Sequence, residues 1–430
     1  MSKFKKVKIG DFLTEREGRY KPNNESVANL KRLEKIDFSG TVHISEKPSK
    51  TDMIIVHPGD LVISGINVSK GAITVYKGGE PVAATIHYSS YIFNDSIVDL
   101  DYFKFFVKSP AFIETLKKQV KGGIKTEIKP KTFLSLEIIL PDLKTQKGIV
   151  KKLSKELETV FILQNEIESQ KEYTKQLRQN ILQDAIEGKL TAGWRKSHPV
   201  IKDNPDYDAN ALFEKIQKAK AADKKQKKLQ PITDEEKPFE IPAGWKWVRL
   251  GEIINLLSGR DFEPSEYNDK RNGIPYITGA SNFGTNGIII NRWTSTPKCI
   301  AKNGDLLLVC KGSGYGTLAY ADFEEAHIAR QVMSITTISN SIELKYVEFI
   351  LKANFDFLKS QGKGLIPGID RETVLSIKTG LPSIQEQNEL IEIVDKNLMK
   401  IQELEQQISQ REEYANQLMQ SILKDAFEEK

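Results

Sequence analysis

Two stretches of the chain carry residues at alternating steps of four and three. In the first the series is Leu153, Leu157, Val160, Gln164, Ile167, Lys171, Thr174, Arg178, Ile181 and Ala185. In the second it is Val394, Leu398, Ile401, Glu405, Ile408, Glu412, Ala415, Met419, Ile422 and Ala426, in the same register. This spacing puts each series on one stripe of an α-helix, and its persistence over several heptads predicts a coiled-coil seam. Neither stretch has an interior Pro, and the only Gly, Gly148, lies in the first turn. About 43 helical residues rising roughly 1.5 Å each would reach on the order of 65 Å. The stripe turns polar at mid-length, basic in one copy (Lys171, Arg178) and acidic in the other (Glu405, Glu412). If the helices pair antiparallel, these middles face each other and the opposite charges favour the mixed pair. A solvated, loosely packed middle is the alternative.

Elsewhere the pattern shortens. Met53 to Val56, Leu61 to Ser64, Ala72 to Tyr76, Ile274 to Thr278 and Leu306 to Cys310 are β-rich runs bounded by Gly, Pro and Asp, and they predict strands. Asp101 to Lys118 and Leu344 to Lys359 have helical spacing. Each region reads as strands first, a helix late, then the long helix, which is a mixed α/β (α+β) class.

These regions are two copies of one plan. Leu140-Pro141 aligns with Leu381-Pro382 at a shift of 241, and the match runs without a gap to Lys189 and Lys430, through Gln146/Gln387, Tyr173/Tyr414 and Asp184-Ala185/Asp425-Ala426. The same shift brings Val7 to Asp11 onto Val248 to Glu252, and a near-equal one pairs Gly59-Asp60-Leu61 with Gly304-Asp305-Leu306. Two large copies indicate a duplicated domain pair in a pseudo-two-fold arrangement, not a solenoid. Tyr20 to Tyr91 and Arg260 to Arg330 align poorly, so the two globular parts differ where they are not framework. Between the copies, Leu190 to Ile241 is polar. Its charged stretch Ala211 to Lys228 reads as a solvated linker helix, with contact to nucleic acid phosphates as the lesser alternative.

Composition narrows the class. At 430 residues, 39% hydrophobic, the chain exceeds what one core usually holds. No run has the roughly 18 to 20 apolar residues of a membrane span, and Met1 to Gly10 lacks a signal peptide's apolar segment, so a cytoplasmic protein with no membrane partner is expected. The 63 basic and 58 acidic residues give a net charge of +5, which permits nucleic acid binding without arguing for it. Cys299 and Cys310 fit neither a disulfide framework nor a zinc spacing and read as buried thiols. His43, His57, His87, His198 and His327 have no ligand-spaced partners and read as structural or solvated.

At this point the residues resemble those of the specificity subunits of type I restriction-modification systems. The matching pieces are Leu-Pro followed by Gln146 or Gln387, the helix ending Ile-Leu-x-Asp-Ala, Gly188 to Thr191 with Trp194-Arg195, Ile241 to Trp247, and the Gly-Asp pairs at Gly59 and Gly304. The resemblance spans nearly the full chain. It implies target-recognition domains at 1–139 and 242–380, conserved helices at 140–189 and 381–430 forming an antiparallel coiled coil, and a linker at 190–241. It implies a non-catalytic reader of an asymmetric, bipartite site in double-stranded DNA. Two modification (methyltransferase) subunits and motor-nuclease restriction subunits would be its partners, and these, not this chain, would bind S-adenosylmethionine, ATP and Mg. A coiled-coil scaffold without DNA recognition is the competing reading.

Inspection for catalysis agrees. The only approach to a methyltransferase signature, Asn204-Pro205-Asp206-Tyr207, lacks the second Pro, and the glycines of Lys311 to Gly316 are followed by no Gly-Lys-Ser/Thr, so a tight loop between strands is expected there. Candidate DNA contacts are basic, amide or aromatic residues in glycine-containing loops. In the first part these are Asn67, Lys70, Lys121, Lys125, Lys129 and Lys131. In the second they are Lys311, Ser313, Tyr315, Arg330, Gln331 and Lys363.

Overall fold

The computed structural model describes residues 4–37, 40–46, 49, 51–68, 72–120, 128–221, 232–285, 287–312, 314–338, 342–360 and 368–427. These fall into two compact units, one of residues 1–170 with 407–430, the other of residues 171–406.

In the first unit, β1 (Phe4–Lys8) pairs only with β10 (Glu137–Pro141). Two four-stranded sheets follow. One, β2 (Leu13–Glu15), β9 (Tyr88–Phe93), β6 (Leu61–Ser64) and β7 (Ile73–Val75), is antiparallel in the order β2-β9-β6-β7. The other, β4 (Val42–Ser45), β3 (Arg32–Ile36), β8 (Val82–Thr85) and β5 (Met53–Val56), contains one parallel pair, β3 with β8. Short α1 (Glu25–Ala28) precedes β3; α2 (Leu100–Lys108), α3 (Pro110–Gln119) and α4 (Pro130–Leu134) precede β10. The helix expected from Asp101 to Lys118 is two helices because Ser109 ends α2 and caps α3, with Pro110 at the first turn, where a missing N–H costs nothing.

The second unit repeats this plan. β11 (Lys246–Arg249) pairs with β22 (Lys378–Leu381). The sheet of β12 (Ile254–Ser258), β21 (Val332–Thr337), β18 (Leu306–Val309) and β19 (Leu318–Tyr320) matches β2-β9-β6-β7. That of β16 (Trp293–Thr294), β13 (Ile274–Ile277), β20 (Glu325–Ile328) and β17 (Ile300–Lys302) matches β4-β3-β8-β5, including its parallel pair. A small hairpin, β14 (Phe283–Gly284) with β15 (Gly287–Ile288), has no counterpart among the described residues of the first unit. α8 (Leu344–Ala353), α9 (Phe355–Ser360) and α10 (Arg371–Ser376) match α2 to α4.

The shared motifs hold the joints of this plan. Between β5 and β6 the chain crosses from one sheet to the other; Gly59 turns it at φ +88°, and Asp60 Oδ2 accepts from Arg16 Nε (2.6 Å), Ser90 Oγ (2.7 Å) and His57 N (3.0 Å). Gly304 (φ +84°) and Asp305, which accepts from Ser334 Oγ (2.7 Å) and Lys302 N (2.9 Å), do the same in the second unit. The buried Gln146 accepts from Asp99 N (2.7 Å), the cap of α2, and donates to Pro141 O (2.8 Å). Gln387 likewise accepts from Glu343 N (2.9 Å), the cap of α8, and donates to Pro382 O (3.1 Å). Each glutamine thus fastens the start of a long helix to the globular part before it.

The long helices are α5 (Leu143–Ile186) and α11 (Ile384–Phe427), 44 residues each. In the first unit their segments run antiparallel: Leu153, Leu157 and Val160 cluster with Leu423, and Ile167 with Ile408 and Ala415. Gln164 Nε2 donates to Asn416 Oδ1 (3.1 Å), and Arg411 Nη1 to Gln170 Oε1 (2.9 Å). In the second unit Leu182, Ala185 and Ile186 share a core with Leu390 and Val394, and Arg178 Nη2 lies 3.0 Å from Glu405 Oε2. The basic and acidic middles therefore do meet at this pair. Both side chains are more than a third exposed, so the pair contributes only about 0 to 1 kcal/mol and serves chiefly to favour the mixed partner.

Three seam expectations shift. Ile181 and Ile422 are only half-buried, whereas their neighbours Leu182 and Leu423 are buried. Leu398 is also half-buried, at the margin of the second unit's core. An α-helix drifts by about 20° per heptad against a strict seven-residue repeat, enough over several heptads to bring the next residue inward.

The segment read as a solvated linker is packed. In α6 (Ala192–Ser197), Trp194 stacks on His198 at 4.2 Å. In α7 (Ala209–Ala221), Ala209, Leu212 and Ile216 are buried against the second unit, Lys220 Nζ donates to Gly251 O (2.7 Å) and Gln217 Nε2 to Glu252 O (3.2 Å). Its apolar spacing was legible but was outweighed by its charges; residues 222–231 lie outside the described set. Beyond it, Glu236 accepts from the Thr233 backbone, then Lys378 and Arg249, which hold its carboxyl down at about 2.

Candidate nucleic-acid interface

The loop between β18 and β19 is the tight turn expected at Lys311 to Gly316. Gly316 N donates to Val309 O (2.7 Å) and Val309 N to Thr317 O (2.9 Å). Gly316 has φ +92°, and a Cβ there would lie 1.7 Å from the Phe355 ring, so only glycine fits. Two neighbouring segments fasten this loop, chiefly through backbone. Cys310 N donates to Gln331 O (2.8 Å), Ile369 N to Cys310 O (2.8 Å), and Lys311 forms a bridge with Gly368.

Lys311, Tyr315, Arg330 and Gln331 are thereby brought to one loop cluster. Lys311, Arg330 and Gln331 are exposed; Tyr315 is half-buried against the core. The Gln331 amide reaches past two glycines: a Cβ on Gly279 would stand 2.5 Å from its Oε1, and one on Gly312 3.7 Å. Arg330 is less open than expected, because Asp261 accepts from its Nε (3.2 Å) and its backbone N (3.0 Å). Ser313 and Lys363 lie outside the described residues, the latter in the stretch leading to Gly368.

The first unit builds the same cluster. Gly65 N donates to His87 O (3.0 Å) and Ile128 N to Gly65 O (3.0 Å). Asn67, half-buried, holds the β6–β7 loop through its backbone to Ser64 and Ala72. Lys129 and Lys131 are exposed at the start of α4, just after Ile128. Lys70, Lys121 and Lys125 lie outside the described residues. Beside the cluster is a cleft of about 210 Å³ lined by Arg16, Arg19, Ile86, Tyr88 and Pro130.

Superposing these hydrogen-bond patterns identifies His87 as the counterpart of Gln331, a position that sequence reading classed as structural. The surrounding strands align too poorly for the match to show, and His87 lies 28 positions after Gly59 whereas Gln331 lies 27 after Gly304, so a simple count misses it by one.

His327 is the buried histidine. It lies between Phe262 (4.1 Å between rings) and Tyr276 (5.2 Å). Its Nδ1 accepts from Cys299 N (3.1 Å) and Lys298 N (3.3 Å), and its Nε2 donates to Arg260 O (2.8 Å), which is the neutral tautomer. Burial holds its pKa below the usual imidazole value of 6.5. The unfolded chain therefore binds this proton more readily than the folded one. The stability His327 contributes is complete above about 6.5 and is lost as pH falls toward the depressed folded value. Urea titrations of the second unit's stability against pH should show this acid slope, and His327→Gln should flatten it. An equal slope in both proteins would rule the histidine out as its source. Cys310 is buried as expected; Cys299 is only half-buried.

Among the described residues no three His, Cys, Asp or Glu side chains are grouped to hold a metal ion, and no helix is long and apolar enough to cross a membrane. What the clusters offer is glycine-lined backbone, exposed amide, imidazole and lysine groups, which suits contact with base edges and phosphates.

Residues 1–172 and 242–413 both match the family described as the type I restriction modification DNA specificity domain. A specificity subunit of the type I restriction enzyme EcoEI from Escherichia coli is 28% identical over 268 residues, 57% of this chain and 42% of that protein. The EcoAI specificity subunit of the same species is 39% identical over 118 residues, 26% of this chain and 17% of that one. The chain thus spans less than half the length of these curated relatives. A solved chain, described in terms of complex assembly and conformational transition of the type I R-M system, is similar over 99% of this chain and 97% of its own, with TM-score 0.59 and 18% identity. It supports the fold.

Proposed function

The chain belongs to the type I restriction-modification DNA specificity family, and from that premise we propose that it is the non-catalytic subunit that reads a bipartite site in double-stranded DNA for a cytoplasmic type I complex. One observation carries the reading: two loop clusters hang on identical backbone hydrogen bonds but present different side chains, His87 and Asn67 in one, Gln331, Lys311 and Tyr315 in the other. Identical frames with different contents are what two unlike half-sites require. Gln331 has the group that pairs bidentately with adenine, and an imidazole at His87 can meet guanine acceptors.

Two modification subunits fit the exposed, duplicated apolar pairs on the long helices. Tyr173 and Leu177 are 67% and 44% exposed, and their counterparts Tyr414 and Leu418 are 66% and 50% exposed, one turn apart on each helix and outside the seam. A surface preserved in both copies while the loops diverge suits one partner bound twice. Those subunits and the motor-nuclease subunits would carry S-adenosylmethionine, ATP and Mg.

The test is a mobility-shift series with random and selected duplexes, combined with mapping of methylated adenines in cells expressing the chain with its modification partner. Selective binding and an asymmetric split site are expected; equal affinity for all duplexes would replace the reading with a protein scaffold. Lys311→Ala should weaken binding by roughly three- to tenfold at low salt and lower the slope of log affinity against log salt by about one. An unchanged slope would remove Lys311 from the phosphates. Lys363→Ala should act alike.

A further inference from the structure

One connection differs between the two units, and the difference falls on the loop cluster. In the first unit β3 ends at Ile36 and β4 begins at Val42. In the second the matching connection runs from Ile277 to Trp293 and holds the added hairpin β14–β15. Its first turn, Thr278 to Asn282, lies against Gln331 and the β18–β19 loop, where a Cβ on Gly314 would come within 2.5 Å of the Ala280 methyl.

Asn282 sets this turn. It is fully buried, and both ends of its amide are engaged. Oδ1 accepts from Thr278 N (2.9 Å), Thr278 Oγ1 (3.0 Å) and Gly279 N (3.3 Å), while Nδ2 donates to Ile289 O (2.7 Å) and Asn291 Oδ1 (3.3 Å). Backbone groups close the same turn, Asn282 N donating to Gly279 O (3.0 Å) and Ile289 N to Asn282 O (2.7 Å). A buried amide satisfied at both ends favours a single geometry, because any other strands a donor or an acceptor.

Gly279 is what the turn delivers to Gln331. A Cβ there would stand 2.5 Å from the glutamine Oε1, 3.4 Å from its Cδ and 3.5 Å from its Cβ, so the side chain lies along the glycine. Gly312 borders the same oxygen, with a Cβ position 3.7 Å away. An exposed glutamine samples many rotamers and loses that freedom on pairing with a base. Bordered by two glycines, Gln331 has less to lose, and its amide is placed before DNA arrives.

We propose that Asn282 and Gly279 are positioning residues for base reading in the second unit, holding the Gln331 amide for a two-bond contact with one base. The inference rests on the proposed role of Gln331 and supplies the residues that orient it. Asn282 is buried and Gly279 has no side chain, so both act through the glutamine.

The test reads discrimination rather than affinity. The full chain with its modification partner is bound to its selected duplex and to a series in which each base pair is replaced in turn, and the affinity ratio is taken at every position. A variant with a smaller folded fraction loses affinity for all duplexes alike, which leaves the ratios as they were. Gln331→Ala should lower the ratio at one position by about tenfold or more, the worth of a bidentate contact. Gly279→Ala, whose methyl displaces Oε1, and Asn282→Asp, which keeps the acceptor and loses the donor to Ile289 O, should each lower the ratio at that same position by about threefold or more and leave the others unchanged. In a Gln331→Ala background neither should change it further. Unchanged ratios in both variants, a loss spread over the whole half-site, or a further loss in the Gln331→Ala background would each overturn the proposal and leave Gln331 as a reader. Gln331→Ala without effect at any position would overturn the reading of that residue, and the proposal with it.

Discussion

Glu386→Ala should destabilise the second unit by about 3 to 5 kcal/mol, the range for breaking a buried ion pair from one side. Glu386 is 4% exposed, and its Oε1 accepts from Arg195 Nη1 (2.5 Å) and Thr191 Oγ1 (2.6 Å). Arg195 also donates to Thr191 Oγ1 (2.9 Å) and to Gly188 O (2.7 Å). Removing the carboxylate leaves a largely buried guanidinium without its counter-charge, and that uncompensated charge accounts for most of the loss. Glu386→Gln keeps an acceptor and should cost less. Urea unfolding with hydrogen exchange resolved by unit would measure both. A loss below about 1 kcal/mol for the alanine variant would mean that water reaches the site and screens the charge. The network also ties the Gly-Lys-Leu-Thr and Trp-Arg pieces after α5 to α11: Gly188, at φ +72°, packs against Pro242 and Trp245, and Thr191 and Arg195 reach the first turn of α11.

Leu423→Ala should cost about 2 to 5 kcal/mol, as for a buried leucine that leaves a cavity. Ile422→Ala, one residue away, should cost about half as much or less. Leu423 is fully buried among Leu153, Leu157 and Val160, while Ile422 is only partly so. A strict heptad count from Val394 makes the opposite assignment, so the pair of variants separates the counted seam from the packed one. Equal losses, or a larger loss at Ile422, would restore the counted seam.

That contrast shows where sequence reading succeeds and where it stops. Length, helicity and pairing of α5 and α11 follow from a pattern repeated over many turns, so single errors do not matter. The register at Leu182 and Leu423 depends on accumulated twist, which no local count contains. The Gly-Asp joints at Asp60 and Asp305 and the glutamine fasteners at Gln146 and Gln387 were visible as repeated motifs, although their hydrogen bonds were not. The position of α7 was missed because Leu212 and Ile216 are few beside its lysines, and burial of one narrow face is enough to dock a helix. His87 was missed for a different reason. Its equivalence with Gln331 is a property of backbone pairing in strands whose side chains have diverged, and an alignment of side chains cannot register it.

The clamp on each loop cluster, Gly65 to His87 and Ile128, or Cys310 to Gln331 and Ile369, is made entirely of main-chain groups. Exchanging a side chain at these tips therefore leaves that main-chain frame in place. The scaffold and the target word can change separately, which gives a lineage room to sample new words on an unaltered frame.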